Sequence, residues 1–157
     1  MSEGEEGRVE QEPQSDPANI GIGSDGYLNL LTRIANKYDI GMGLTLNVHG
    51  TIISGQLISS KVYFEKLADN IAGASRTDAN GPIIDMFVKL TKSIEETIIE
   101  ERNESEEIPD EPAEFIHLSD VKMLGTDGTA IPGNSGQIWR GRINAIDGFI
   151  VGAFSPA

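Results

Sequence analysis

The run GMGLTLNVHGTIISGQLISS, residues 41–60, alternates apolar with small or polar side chains on both sides of a His-Gly pair. Met42, Leu44, Leu46 and Val48 fall on one side of an extended chain and Gly43, Thr45 and Asn47 on the other, the period-two pattern of a half-buried strand. His49 and Gly50 suit a tight turn, and beyond it Ile53, Gly55 and Leu57 share one face of a second strand. A lone hairpin is at best marginal in water, so this pair needs further strands and a cover for its apolar face. Gly55 in mid-strand allows the sharp bend that a small barrel requires.

The flanking segments supply those elements. Before the hairpin, SDGYLNLLTRIANKYDIG predicts a helix capped by Ser24 or Asp25, with Tyr27, Leu30, Leu31, Ile34 and Tyr38 at helical spacing and Gly41 as its stop. After it, KVYFEKLADNIAGA turns helical through Tyr63, Leu67 and Ile71, and Pro82 opens another helix with a stripe of Ile84, Phe87, Leu90, Ile94 and Ile98. Residues 114–124 return to a strand pattern, residues 137–146 read as a fourth strand, Asp147-Gly148 as a tight hairpin turn, and residues 148–154 as the last strand. The predicted class is α+β: a small, strongly bent, five-stranded antiparallel barrel of the Sm-like or SH3-like kind, with an N-terminal helix and a helical insertion between strands two and three.

At 157 residues the chain has room for one domain with a real core, here residues 20–157. Residues 1–19 are Glu, Gln, Ser, Pro and Asp with almost nothing apolar, and are expected to form a disordered acidic tail. A second acidic run at about 100–114, broken by Pro109 and Pro112, is expected to be a mobile loop.

With 12 Lys and Arg against 25 Asp and Glu, the net charge is -13, which opposes binding to phosphate backbones. Screening should make the protein's behaviour depend on ionic strength. The absence of cysteine excludes disulfides, thiolate metal sites and cysteine nucleophiles. The acidic first residues do not resemble a signal peptide and no apolar run is long enough to cross a bilayer, so a cytoplasmic protein without a membrane partner is expected.

Catalytic readings fare poorly. GIGSDG, residues 21–26, fits the G-x-G-x-x-G pattern, but that fingerprint works only between a buried strand and a helix, and here an acidic tail precedes it. His49 and His117 lie far apart in the sequence and show no ligand spacing, Ser135 misses the nucleophile elbow, and the acidic loop lacks the ligand spacing of a calcium site. The carboxylates cluster in runs expected to move, whereas an acid and base pair needs fixed geometry. No enzyme, cofactor or metal site is expected.

The sharper candidate is GQIWRGRINAIDGFIVGAF, residues 136–154. On a strand, Trp139, Gly141 and Ile143 lie on one face and Ile138, Arg140, Arg142 and Asn144 on the other, so the two arginines project together. Either Trp139 packs in the core and the arginines pair with the chain's own acids, or this is a docking face, since Trp and Arg dominate interface hot spots and paired Arg recognises carboxylates.

LNVHGTIISGQLISSKVYFEKLAD, FIHLSDVKML and the stretch just quoted together resemble the GvpU family of gas vesicle accessory proteins, through the spaced blocks at 46–67, 115–118 and 139–149. The acidic tail, the long second helix of the insertion and the Glu-rich loop do not align with the family pattern. The resemblance implies a non-enzymatic accessory protein, outside the main lattice of the vesicle wall, that acts on assembled vesicles or their biogenesis by promoting clustering. Its partners would be the vesicle shell, other gas vesicle proteins or further copies of itself, with Trp139, Arg140, Arg142 and Phe149 as candidate contact residues. The competing reading is an Sm-like oligomeric module that binds RNA; it predicts a basic patch, which the charge of -13 opposes.

Overall fold

The computed structural model describes residues 25–131 and 136–154. The tail expected at 1–19, most of the glycine pattern at 21–26, and Ser135 lie outside the described residues.

The first helix, α1 (Gly26–Tyr38), starts where expected: Asp25 is its N-cap, and its carboxylate accepts from the backbone N–H groups of Tyr27 and Leu28 at 2.9 and 3.0 Å. It ends on Asp39 in the left-handed conformation, φ 53°, before the expected stop at Gly41. The buried line is Leu28, Thr32 and Ala35, displaced from the expected stripe, and Tyr27 and Tyr38 are exposed. Asn29 accounts for that rotation. Its buried amide makes a two-way pair with the backbone of Ala113, donating to the carbonyl at 2.8 Å and accepting from the N–H at 3.1 Å, which turns this face inward.

The hairpin of β1 (Met42–Val48) and β2 (Thr51–Ile58) is as read from the alternation. His49 and Gly50 both have positive φ, 51° and 87°, the requirement of a type I′ turn. Gly55 marks a β-bulge: Ser54 pairs with Lys122 and Gln56 with Ser119, so Gly55 opposes the two residues Asp120 and Val121, and Asp120 takes φ 50°.

The helical insertion after β2 consists of α2 (Ser60–Ala72), capped by Ser59, and α3 (Gly81–Asn103). Ile84, Val88, Thr91 and Ile98 sit on the better-covered side of α3, whereas Phe87, Leu90 and Ile94 of the expected core stripe are exposed. The helix has two apolar lines, and α2 is wide enough to cover one.

Four strands follow: β3 (Phe115–Leu124), β4 (Ala130–Ile131), β5 (Trp139–Arg142) and β6 (Gly148–Val151). Among the described residues the sheet therefore has six strands rather than five, in the order β4-β3-β2-β1-β6, with β5 pairing along the same edge of β3 as β4. The two-residue β4 lies between the strands read from the sequence at 114–124 and 137–146.

The barrel expectation is corrected, because the sheet is open: no pairing joins β5 to β6. The fourth strand also stops early, at Arg142, and a 3-10 turn, Ile143–Ala145, replaces its second half. Asp147-Gly148 consequently makes no hairpin. The register gives the physical reason. Residues 139–142 pair with 118–115, near the end of the sheet where β1 begins, whereas Gly148 pairs with Asn47 beside the hairpin turn. The two short strands occupy opposite ends of the sheet, so their edges cannot zip together, as closure would require. Between them the chain is pinned by Ile143 N–H donating to Glu114 O at 3.0 Å and Asp147 N–H to Asn47 O at 2.9 Å.

The core lies between α1 and the inner face of the sheet: Leu28, Ala35, Leu44, Leu46, Ile53, Leu57, Ile116, Leu118, Val121 and Ile143. Trp139, Ile146 and Phe149 pack around its border. Burying each large apolar side chain contributes about 1.5–3 kcal/mol, so this layer, with its edge residues, carries most of the fold's stability.

Candidate functional site

Strand β5 sits on a sheet edge, with its two faces in different environments. Trp139 and Gly141 are half-buried on the core side; Arg140 and Arg142 are exposed on the other, as alternation predicts. The register sets Arg140 against His117 and Arg142 against Phe115 of β3.

These cross-strand pairs build a small cationic and aromatic cluster. The Arg140 guanidinium lies 3.8 Å from the Phe115 ring centroid and 5.3 Å from that of Phe64 on α2, and Arg142 lies 5.7 Å from Phe115. Cations over aromatic faces gain on the order of 0.5–1 kcal/mol at exposed sites. Arg140 Nη1 is also 3.0 Å from His117 Nε2. An arginine can only donate, so Nε2 is the acceptor and Nδ1 carries the proton of the neutral ring.

His117 is 2 % exposed, with the Tyr63 ring 4.6 Å away and Phe64 at 6.1 Å. Burial first, and the Arg140 charge second, push its pKa down to about 3. At neutral pH it is therefore an uncharged anchor for Arg140. His49 stands exposed in the hairpin turn, 3.6 Å from Asp147, at the other end of the hairpin from His117. The structure thus separates the two histidines, and among the described residues no group of three or more His, Cys, Asp or Glu could hold a metal.

Arg142 is held more loosely. Among the described residues its one ion pair is with Glu114 at 3.7 Å, and both side chains are about two-thirds exposed, at 63 % and 65 %. Such a pair adds little and leaves the guanidinium available. Phe149, the fourth candidate, is on β6 at the opposite sheet edge, stacked on Tyr27 with centroids 6.1 Å apart. The structure therefore brings the two arginines together on one face, puts Trp139 on the opposite face of the same strand, and places Phe149 at the other sheet edge.

Sequence reasoning missed Phe115, Phe64, Tyr63 and His117 as neighbours of the arginines. The strand alternation could have put Phe115 and His117 on one face, but only the register shows which strand faces them.

A cleft of about 260 Å³ opens between α1, the end of α3 and residues 105–113. Its cations are already engaged: Arg33 donates to Pro109 O at 2.7 Å, Lys37 to the carbonyls of Arg102 and Ser105, and Arg102 pairs with Asp39 at 2.7 Å. These bonds fasten the acidic segment to the helices and occupy the cleft's cations among the described residues, while Glu101, Glu107 and Glu111 complete its lining.

In comparison with known proteins, the family model described as gas vesicle protein GvpU-like matches residues 25–154, most of the chain. No curated protein and no solved structure matches. No helix among the described residues is long and apolar enough to cross a membrane.

Proposed function

The chain belongs to the GvpU-like family of gas vesicle proteins, and from that premise we propose that it is a non-enzymatic accessory protein that associates with gas vesicles in the cytoplasm and promotes their clustering or biogenesis. In this reading β5 is the docking strand. Arg142, with Arg140 beside it, meets carboxylates on the vesicle shell or on other gas vesicle proteins, and Trp139 and Phe149 contribute apolar contact area at the two sheet edges.

The observation that carries this reading is the exposed Arg142 guanidinium on an edge strand of a chain with net charge -13. A strongly acidic protein that approaches another acidic surface must present its cations locally, and a preorganised pair of arginines does so. A vesicle shell repeats one surface many times, so weak contacts from many copies sum to strong but reversible bridging, provided that copies also bind one another.

Flotation tests the reading. Purified protein is mixed with intact gas vesicles, spun gently, and the buoyant layer is assayed for protein and for vesicle clusters across a salt series. Co-flotation with clustering that weakens as salt rises is expected. Protein left in the clear phase at every salt concentration overturns direct contact with finished vesicles.

A further inference from the structure

We infer that the Asn80-Gly81 junction is a self-modification site: an asparagine set to deamidate through its neighbour's backbone nitrogen, and held back by the turn that starts α3. The inference concerns the chain's own covalent chemistry and stands apart from the vesicle reading above.

The junction is singular in the sequence. Of nine asparagines, residues of thermally labile chemistry, only Asn80 is followed by glycine. Glycine has no Cβ to shield its amide nitrogen, and at Gly81, beyond its chain neighbours, no atom lies within 4 Å of the place a Cβ would take. The side-chain carbonyl carbon and that nitrogen belong to adjacent residues, so their reaction has the advantage of proximity. Once base has removed the Gly81 amide proton, the nitrogen attacks Cγ of Asn80. A C–N bond forms, the bond from Cγ to Nδ2 breaks, and Nδ2 takes up a proton and leaves as ammonia, giving a five-membered succinimide. Water then opens the ring. Cleavage at Cγ yields aspartate, and cleavage at the backbone carbonyl yields isoaspartate, whose chain runs on through the side-chain carbon.

The turn opposes the attack by holding both reacting groups. Thr77 N–H donates to Asn80 Oδ1 at 2.6 Å, Asn80 N–H donates to Thr77 Oγ1 at 3.2 Å, and Asn80 Nδ2 donates to Ser75 O at 3.1 Å. The nucleophile is engaged as well, since Gly81 N–H donates to Thr77 O at 3.0 Å. Asn80 has ψ -14°, and ring closure needs a large rotation about that bond to bring the Gly81 nitrogen into line with Cβ. Such a rotation breaks the bond from Gly81 to Thr77. Deamidation therefore waits on local opening of residues 75–81, which are exposed through Ala79.

The two products act differently on the helix. Aspartate keeps the acceptor for Thr77 N–H and puts negative charge at the N-terminus of α3, where it is favoured, while losing the donor to Ser75 O. Isoaspartate adds a methylene to the backbone and removes the Asn80 carbonyl from its place as acceptor of Ile84 N–H, at 2.9 Å. It loosens the connection between α2 and α3.

Peptide mapping by mass spectrometry tests this on the full chain, incubated in mildly alkaline buffer with and without urea, with isoaspartate scored by enzymatic methylation. In the wild type Asn80 should convert before any other asparagine, and about tenfold more slowly in buffer than in urea. Thr77→Ala removes one bond of the turn at an exposed residue, and should narrow that gap severalfold. In urea, where the fold plays no part, Gly81→Ala should slow conversion by about tenfold or more, because its Cβ shields the nitrogen. An Asn80 that stays intact in urea overturns the inference, as does another asparagine that converts first. Equal rates with and without urea, or a Thr77→Ala variant as slow as the wild type, overturn the restraint by the turn.

Discussion

The indole of Trp139 folds back over the backbone of Gly141, two residues along the same strand, so closely that a Cβ at Gly141 would lie 2.9 Å from Cζ3 and nearer still to the atoms of the ring edge. The glycine between the two arginines is therefore a seat for the tryptophan on the core side, and the face that carries the arginines is set by the packing beneath it. Gly141→Ala should push the indole off the core, destabilising the fold by about 1–3 kcal/mol. Trp139 is the only tryptophan, so the same variant should shift its fluorescence to the red. Unchanged emission and an unchanged urea midpoint would show that the ring has room to move.

The neutral His117 makes stability fall on acidification. An unfolded histidine takes a proton near pH 6.5, whereas in the folded chain burial and Arg140 delay this to about pH 3. Between those values the unfolded state binds the extra proton, so His117's contribution is intact above pH 6.5 and is lost progressively as pH drops toward 3. The loss approaches about 1.4 kcal/mol for each pH unit. Urea unfolding at pH 7 and pH 5 measures it. His117→Gln cannot titrate, so its stability should decline less over that interval than that of the wild type; parallel declines would place the effect in other groups.

Asp39 joins all three helices. It closes α1 in the left-handed conformation, accepts from the hydroxyl of Ser59 that caps α2, and pairs with Arg102 in the last turn of α3 at 2.7 Å. Burial raises its pKa, but the Ser59 hydrogen bond and the Arg102 guanidinium outweigh this and hold the carboxyl below its usual value. Asp39→Ala loses the backbone preference and both contacts, and should cost about 2 kcal/mol, while Asp39→Asn, which tolerates the left-handed region, should cost about half as much. Chemical denaturation of the two variants checks the order; equal losses would mean that charge alone matters.

How far this structure could be read from its sequence depends on the range of the interactions. The Asp25 cap, the His49-Gly50 turn, the Gly55 bulge and the alternation of β1 are decided within a few residues, and each is where the sequence puts it. Pairing between distant segments is not decided locally. Residues 137–154 look like a hairpin, since Asp147-Gly148 is a good turn pair, yet β5 joins β3 and β6 joins β1 because those edges offer longer partners. Helix α3 was ambiguous for another reason: with apolar lines through both Ile84 and Leu90, periodicity alone does not say which side α2 covers. The candidate arginines and their shared face were legible from alternation. The neighbours that separate their roles, His117 and Phe115, depend on register.

That difference between the two arginines is the sharpest test of the docking strand. Arg140 is held by Phe115, Phe64 and His117, so Arg140→Glu should destabilise the fold by about 1–3 kcal/mol, leaving the buried His117 Nε2 without its donor and a carboxylate against two rings. Arg142 has one loose pair with exposed Glu114, so Arg142→Glu should change the melting temperature by no more than about 2 °C. In flotation the second variant is therefore the informative one: with the fold intact, it should lose most vesicle co-flotation, and Arg142→Lys should regain part of it, because the charge returns without the bidentate fork. Full co-flotation of Arg142→Glu would assign docking to some other face, while equal losses of stability in the two variants would make both arginines internal struts.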